Sequence, residues 1–494
     1  MEKSGKPRVA IIGGGISGLA AAKELRWLEP VLFEATDSIG GVWRHCSFRS
    51  TRLQTPRPDY EFSDYQWRDR NDPTFPTHTE ILEYLHGYTT HFDLWRFIKL
   101  QTKVVEIRSI GDGRESWFTE LWGNKGRAIP DQPAWEVGVV TGHSDTVQFE
   151  FIVMCIGKYG DIPNMPKFPP GNGAEIFRGK VMHSLDYCKL DEVATEELMK
   201  GKKVVIIGYK KSSIDLAVEC AEANRGEDGQ PCTMVIRTLH WTVPSYSIWG
   251  LPFFLFFSTR RGVSKFIESY LTWKLPLDKY GLKPDHPFVE DYASCQMAIL
   301  PENFFAEADE GRIMFKRSSQ WRFWEGGVVL DDDTKLEADV VLLATGFDGK
   351  QKLKSVLPEP YRGLMVDSSG VMPLYRYVRR GTIHPLIPHM AFLGYIESVS
   401  NLHTSELRCK WLGRLLKGHF QLPSVEAMFG QTREEIEVMK RTTRFYRRHC
   451  ISTYSINHSD DMCEEMGWSP WRKGSWFSEA FGAYNNQDYK EDDE

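Results

Sequence analysis

Arg8–Ile12 reads RVAII, GGGISGLAAAKEL follows directly, and Pro30–Glu34 reads PVLFE. Short runs of branched apolar residues are the pattern of buried strands, and glycines set straight after one permit a tight turn into a helix. Leu19–Leu25 supplies the helix formers. Strand, glycine turn, helix and strand together make the unit that binds a dinucleotide. In such a unit Gly13 permits the turn, Gly15 lets a pyrophosphate approach the backbone, and Gly18 lets the helix pack closely on the strand. Free N–H groups at the helix start face phosphate oxygens. Glu34, ending the second strand, is placed to accept hydrogen bonds from ribose hydroxyls, which favours FAD or NAD over a 2'-phosphorylated ribose. Gly40-Gly41-Val42-Trp43 comes soon after. Its glycines allow a cofactor close to the backbone, and Trp43 reads either as a wall of the cofactor site or as core packing.

A second unit begins with KVVIIG over Lys203–Gly208, continues as a helix over Ser212–Ala223, and reaches a further strand, MVIR, at Met234–Arg237. Its turn, GYKKSSID, keeps only Gly208, with Lys210 and Lys211 standing where further glycines are expected. Their charges attract phosphate while their bulk obstructs it, so the turn reads either as a nicotinamide-nucleotide site or as a vestigial structural unit. Ser212 is a hydrogen-bond donor for a phosphate, and Asp215 caps or braces the helix. Arg237 ends the following strand, where a guanidinium meets a 2'-phosphate with several directed donors; NADPH is therefore preferred to NADH. A surface salt bridge is the competing reading of Arg237.

Phe149–Ile156 and the start of Asp339–Gly349 are two more buried strands, the latter running into a glycine turn. The expected fold is α/β, with two Rossmann-like dinucleotide-binding domains, the second inserted in the first, and a helical C-terminal region. The expected boundaries are 1–164 for the first part of the FAD domain, 165–335 for the NADPH domain, and 336–494 for the second part of the FAD domain with the C-terminal region. Phe420–Tyr446 is helical by pattern, and the acidic ending DYKEDDE is expected to be solvated and mobile. With 494 residues, 41% hydrophobic and 26% charged, the chain has ample material for a core. A net charge of -6 gives no support to a broad nucleic-acid surface. The nine cysteines form no CxxC pair and no compact Cys/His/Asp cluster appears, so neither a disulfide framework nor a metal site is expected, and a reducing, cytoplasmic setting is the simplest. The opening MEKSGKPRVAII has no long apolar run, so no cleaved secretory signal is expected. IWGLPFFLFF, around Ile248–Phe257, is too short to span a bilayer and reads as core, channel lining or loose membrane contact.

GGGISG, GGVW, the second unit and ATGFD occur in the order used by flavin-containing monooxygenases, and Phe177, Gly179, His183 and Tyr187 match that family's F-x-G-x-x-x-H-x-x-x-Y signature. The chain resembles this family over residues 7–465. KLDEV, KKSSIDLA, HWTVP and CISTYSINHSDDMC make it most similar to the plant group of pipecolate N-hydroxylases of immunity. The resemblance implies FAD and NADPH as cofactors, with transfer of one oxygen atom from a C4a-hydroperoxyflavin to a nitrogen or sulfur nucleophile. Most of that chemistry belongs to the cofactor. It implies a structural or NADP-positioning role for His183 and Tyr187, and a linking role for Thr345 and Gly346 in ATGF with Asp348 anchoring the turn. No residue is assigned a catalytic role. In Leu53-Gln54-Thr55-Pro56, Pro56 stands where much of the family has an Asn that helps hold the oxygenated flavin. Proline lacks both side-chain donor and N–H, leaving Gln54, Thr55 or Arg57 to compensate. The short segment Ser258–Lys265 also departs from the plant pattern. Two function classes follow: an N-hydroxylase of pipecolate or a related small amine, with S- or N-oxygenation of another nucleophile as its variant, or a weakened flavoprotein with a structural or regulatory role.

Overall fold

The computed structural model describes residues 9–110, 128–245, 247–248, 251–252, 261–365, 381–398, 400–448, 450–451, 455–481 and 484–491. Two five-stranded parallel sheets organise it. The first is built from β1 (Val9–Ile12), β2 (Val31–Phe33), β3 (Ile98–Lys99), β4 (Phe151–Met154) and, far downstream, β10 (Met390–Phe392). The second is built from β5 (Lys180–His183), β6 (Val204–Ile207), β7 (Cys232–Ile236), β8 (Ile313–Arg317) and β9 (Val340–Leu343). The first sheet runs β10-β4-β1-β2-β3 and the second β8-β7-β6-β9-β5. All second-sheet strands lie between β4 and β10 in sequence, so the second Rossmann-like core is inserted in the first. Every residue of β1, β4, β6 and β7 is buried, as expected of parallel strands covered on both faces.

Helix α1 (Ile16–Glu24) packs on β1 from one side and on α6 (Asn401–Lys417) from the other. Leu19, Ala20 and Leu25 share a core with Leu407, Trp411 and Leu415. Burying each of these leucines stabilises by about 1.5–3 kcal/mol. The C-terminal region is helical, with α7 (Val425–Thr442) inside the segment that the sequence marks as helical. Four shorter helices serve the arguments below: α2 (Ser184–Tyr187), α3 (Lys211–Ala223), α4 (Phe288–Ala293) and α5 (Gly349–Val356).

Four expectations change. The strand in Asp339–Gly349 falls beyond the expected end of the inserted domain at 335, yet β9 pairs in parallel with β6 and β5. The strand that returns to the first sheet is β10, paired with β4. Second, Cys295 and Cys450 form a disulfide, their Cα atoms 5.7 Å apart. Third, the described part of the acidic ending is docked: Lys410 Nζ donates to Tyr489 O at 2.9 Å, and Arg472 Nη2 to Lys490 O at 2.6 Å. Fourth, folding gathers three potential metal ligands, taken up below. Most of Ile248–Phe257 and the first residues of Ser258–Lys265 lie outside the described residues. No helix among the described residues is long and apolar enough to cross a membrane.

Candidate cofactor and reaction site

The first glycine turn leaves the carboxyl end of β1. A Cβ on Gly18 would stand 1.8 Å from Gly13 O, so helix and turn pack this closely only with glycine there. Gly15 faces Gly41: a Cβ on Gly15 would lie 3.7 Å from Gly41 Cα and meet no atom other than Gly41's within 4 Å. Two bare backbones therefore form a cradle at the start of α1, the shape a pyrophosphate needs. Gly40 N donates to Gly14 O at 3.0 Å, tying the GGVW segment to the turn. Glu34 is buried; one carboxylate oxygen accepts from Gly14 N at 2.7 Å, the other from Thr36 N and Oγ1 at 2.9 and 2.7 Å. Each oxygen has further lone pairs for a ribose hydroxyl. Trp43 Nε1 donates to Tyr60 Oη at 2.9 Å and its ring meets Tyr60 edge-on, so Trp43 has a packing role whatever it contributes to a cofactor wall.

In the second turn Gly208 has φ 143°, and a Cβ there would press on Ala344 O at 2.7 Å. Beyond it the likeness to the first turn ends. Lys210 is the N-cap of α3, locked through Ser213: Lys210 N donates to Ser213 Oγ, which donates back to Lys210 O, both at 2.7 Å. Ser213 thus does the capping, and Ser212 is left at the helix start. Lys211 Nζ pairs with Asp215 at 2.5 Å, so Asp215 braces the helix; burial pushes its carboxyl up to about 6. Lys210 has no ion pair among the described residues. Burial, reinforced by the nearby Arg448 charge, pushes its ammonium down to about 7. An anion placed there would reverse that effect. Arg237 is exposed beyond β7 and also has no ion pair among the described residues, so its salt-bridge reading finds no partner.

The residues of the family signature make packing and capping contacts. Phe177 stacks on Phe323 with centroids 5.7 Å apart, and a Cβ on Gly179 would collide with Asp339 O at 2.4 Å. His183 Nδ1 accepts from Leu185 N and caps α2, while burial lowers the imidazole's pKa and favours its neutral form. Tyr187 Oη donates to Glu219 of α3 at 2.6 Å. ATGFD pairs with the chain after β4: Thr345 Oγ1 donates to Asn164 O at 2.7 Å and Asn164 N to Gly346 O at 2.9 Å. Asp348 caps α5 through Gln351 N. These contacts join the carboxyl ends of the two sheets, where α/β proteins bind their ligands.

Around Pro56 the potential substitutes are sorted by their partners. Gln54 Oε1 accepts from Ile299 N across the junction. Arg57 is buried and spent on Thr74 O and Glu80, both at 2.5 Å. Thr55 Oγ1 is buried and makes no hydrogen bond among the described residues. Thr55 alone is left to replace the missing amide contact.

Sequence reasoning missed two clusters at the same junction. Lys158, just past β4, pairs with Glu397 at 2.6 Å; Arg448 Nη2 reaches the same carboxylate at 3.0 Å, and Tyr159 Oη donates to it. Burial pushes Lys158 down to about 8. Lys158 and Arg448 share the carboxylate of Glu397, and Lys210 lies within electrostatic reach of Glu397 and Asp291 without pairing to either. In the other cluster His240 Nδ1 lies 2.8 Å from one oxygen of Asp291 and His286 Nε2 lies 2.9 Å from the other; the three ligand atoms fall within 4.8 Å. The expectation of no compact His/Asp group therefore fails, because residues far apart in sequence meet. Trp241 N also donates to Asp291, at 2.6 Å, so the carboxylate anchors three groups. Neither cluster carries a sequence signal beyond its residue types.

Two Rossmann cores, one inserted in the other, a bare glycine cradle followed by an acid, and a cationic second turn are the frame of a protein that binds two nucleotides. The flavin-binding monooxygenase-like family model matches residues 6–473, and the chain belongs to that family. It is 56% identical to "Probable flavin-containing monooxygenase 1" of Arabidopsis thaliana, over 99% of this chain and 97% of the relative. It is 26% identical to human "Flavin-containing monooxygenase 5", over 94% and 84% of the two chains. In fold it is similar to OTEMO in complex with FAD and NADP, with a TM-score of 0.68, 15% identity, and coverage of 94% and 98%. The chain is a flavin monooxygenase whose cofactors are FAD and NADPH.

Proposed function

We propose that this monooxygenase N-hydroxylates a small amine bearing a carboxylate, pipecolate first among them, in the setting of plant immunity. The observation that carries the reading is the cationic surplus of Lys158, Lys210 and Arg448 over Glu397 and Asp291, where the carboxyl ends of both sheets meet. Such a surplus attracts an anionic substrate and disfavours a second cation beside it. A secondary amine held there by its carboxylate is biased toward the neutral form. That form carries the lone pair an oxygen atom can be transferred to; the ammonium has none. A neutral thioether gains nothing from this charge. The weakened-flavoprotein reading rests on Pro56 and the altered second turn, and a missing amide contact bears on coupling more than on oxygen transfer itself.

When bound, FAD and NADPH supply the reducing equivalents and the activation of oxygen. We place FAD on Gly13, Gly15, Gly18, Glu34, Gly40 and Gly41 with Trp43 at its edge. We place NADPH on Gly208, Lys210, Ser212 and Arg237, with Thr345 and Gly346 linking the two units. The expected boundaries, with the inserted unit extended to include β9, belong to the same proposal. The test is reduction of the FAD-loaded enzyme by NADPH without oxygen, then mixing with oxygen and L-pipecolate. Mass detection of pipecolate with one added oxygen atom supports the reading. Oxygenation of a thioether or an uncharged amine in preference to pipecolate would refute the substrate assignment.

A further inference from the structure

One strap crosses from the first unit to the second and back. It begins on the first unit, where Ile436 and Met439 of α7 share a core with Ile12, Met154 and Phe392 of the first sheet. Leaving α7, Thr443 Oγ1 donates to Glu290 O of α4 at 2.9 Å, and Arg444 Nε donates to Glu290 Oε2, also at 2.9 Å. The Phe445 ring sits 5.2 Å from both His240 and His286, the imidazoles clamped by Asp291. All of these partners belong to the second unit. Three residues later the chain is home again: Lys158 Nζ donates to Arg448 O at 3.2 Å, Arg448 binds Glu397, and Ile451 N donates to Glu397 O at 2.9 Å. At this returning end Cys450 is bonded to Cys295, which follows α4 in the second unit. Arg448 also lies close enough to Lys210 to depress its ammonium, so the strap borders the second turn.

We propose that Phe445, Arg448 and the Cys295–Cys450 pair are positioning residues: the strap holds the nicotinamide turn against the flavin unit, and the thiol pair makes that hold redox-dependent. Without the crosslink, the bridges at this edge among the described residues are hydrogen bonds and ring contacts, those of the half-exposed Arg444 among them. With it, the returning end of the strap is covalently fixed to the unit it crosses. Hydride transfer needs two reactants in one geometry, and small displacements there cost rate rather than affinity. The chemistry is an ordinary exchange. The Cys295 thiolate, on the more exposed residue, displaces one thiolate from glutathione disulfide. The Cys450 thiolate then displaces the second, and two glutathione molecules leave with the two electrons and two protons. Dithiothreitol reverses the sequence.

The test uses the full-length, FAD-loaded enzyme, with the state of its nine cysteines mapped by alkylation and mass spectrometry. Flavin reduction by NADPH is followed anaerobically over a range of NADPH concentrations. Opening the crosslink with dithiothreitol, then removing the reagent, is expected to lower the limiting rate about tenfold with the NADPH Kd changed less than about twofold. Glutathione disulfide should restore it. Cys295→Ser and Cys450→Ser should hold the lowered rate and ignore both reagents. Phe445→Ala, which leaves the cysteines in place, should lower the limiting rate with the crosslink intact. An opened parent enzyme reducing its flavin at the unchanged limiting rate would overturn the proposal. So would finding Cys295 and Cys450 still as thiols after glutathione disulfide.

Discussion

The two nucleotide turns begin alike, each a buried parallel strand ending in a glycine with positive φ, at Gly13 and Gly208. They then take opposite routes. The first is made of absent side chains: Gly15 and Gly41 present bare backbone, and Gly18 lets α1 sit on the turn. The second is made of side chains: Lys210 at the cap, Lys211 braced on Asp215, and Arg237 exposed beyond β7. A cofactor held through backbone N–H groups is gripped by shape and depends on space. One held by lysine and arginine is gripped by charge, and its grip depends on pH and on the extra phosphate. The first turn is thus suited to a resident FAD, and the second to a nicotinamide nucleotide that arrives and leaves.

Substitutions that add bulk to the first turn should have the largest effect. Gly18→Val drives side-chain atoms into Gly13 O, and FAD-free, largely insoluble protein is expected; a soluble yellow variant would show that the helix can move aside. Gly15→Leu adds bulk where only Gly41 is near, so the fold should survive while FAD affinity falls at least about 100-fold, roughly 2.7 kcal/mol. Differential scanning fluorimetry and flavin occupancy separate the two cases.

On the second turn, Arg237→Ala removes charge-assisted hydrogen bonds worth about 1.5–3 kcal/mol. A rise of about 10- to 100-fold in the NADPH KM with the NADH KM unchanged is expected; parallel rises in both would place Arg237 elsewhere. The pH effect has a definite sign. Lys210 is pushed down to about 7, so its ammonium is present below that pH and lost above it. A bound phosphate favours the charged form, so NADPH should bind more weakly as pH rises from about 6 to about 9. Lys210→Met should flatten that dependence, and FAD affinity should show none of it. Smallest is the coupling effect. Pro56 leaves an amide contact to Thr55, whose hydroxyl, unlike Gln54 and Arg57, has no partner among the described residues. NADPH oxidation should exceed product formation, with hydrogen peroxide making the difference, and Thr55→Val should widen the gap by about twofold, the scale of a few tenths of a kcal/mol. One-to-one coupling in the parent would show the contact is replaced in full.

The first turn was legible because everything it needs is local: β1, Gly13, Gly15, Gly18 and Glu34 fall within one short stretch. The second could be located but not judged, since the roles of Lys210 and Ser213 depend on a cap geometry that spacing does not encode. β9 has the composition of any buried strand, and pairing with β6 rather than with β4 is decided by packing. Glu397 and Arg448 meet Lys158 only after β10 has joined the first sheet. The Cys295–Cys450 bond spans 155 residues, and counting cysteines assigns no pair at that distance. The ending DYKEDDE reads as solvent-exposed by charge, yet Tyr489 just inside it is buried.

The contrast between a turn of space and a turn of charge is tested most directly by anaerobic titration of the FAD-loaded parent enzyme with NADPH and with NADH across pH. The account predicts that FAD stays bound throughout. NADPH should reduce it at lower concentration than NADH, with both nucleotides binding more weakly toward high pH as Lys210 loses its proton, and with the NADPH advantage shrinking at every pH in Arg237→Ala. Equal use of NADPH and NADH, unchanged by pH or by Arg237→Ala, would contradict it.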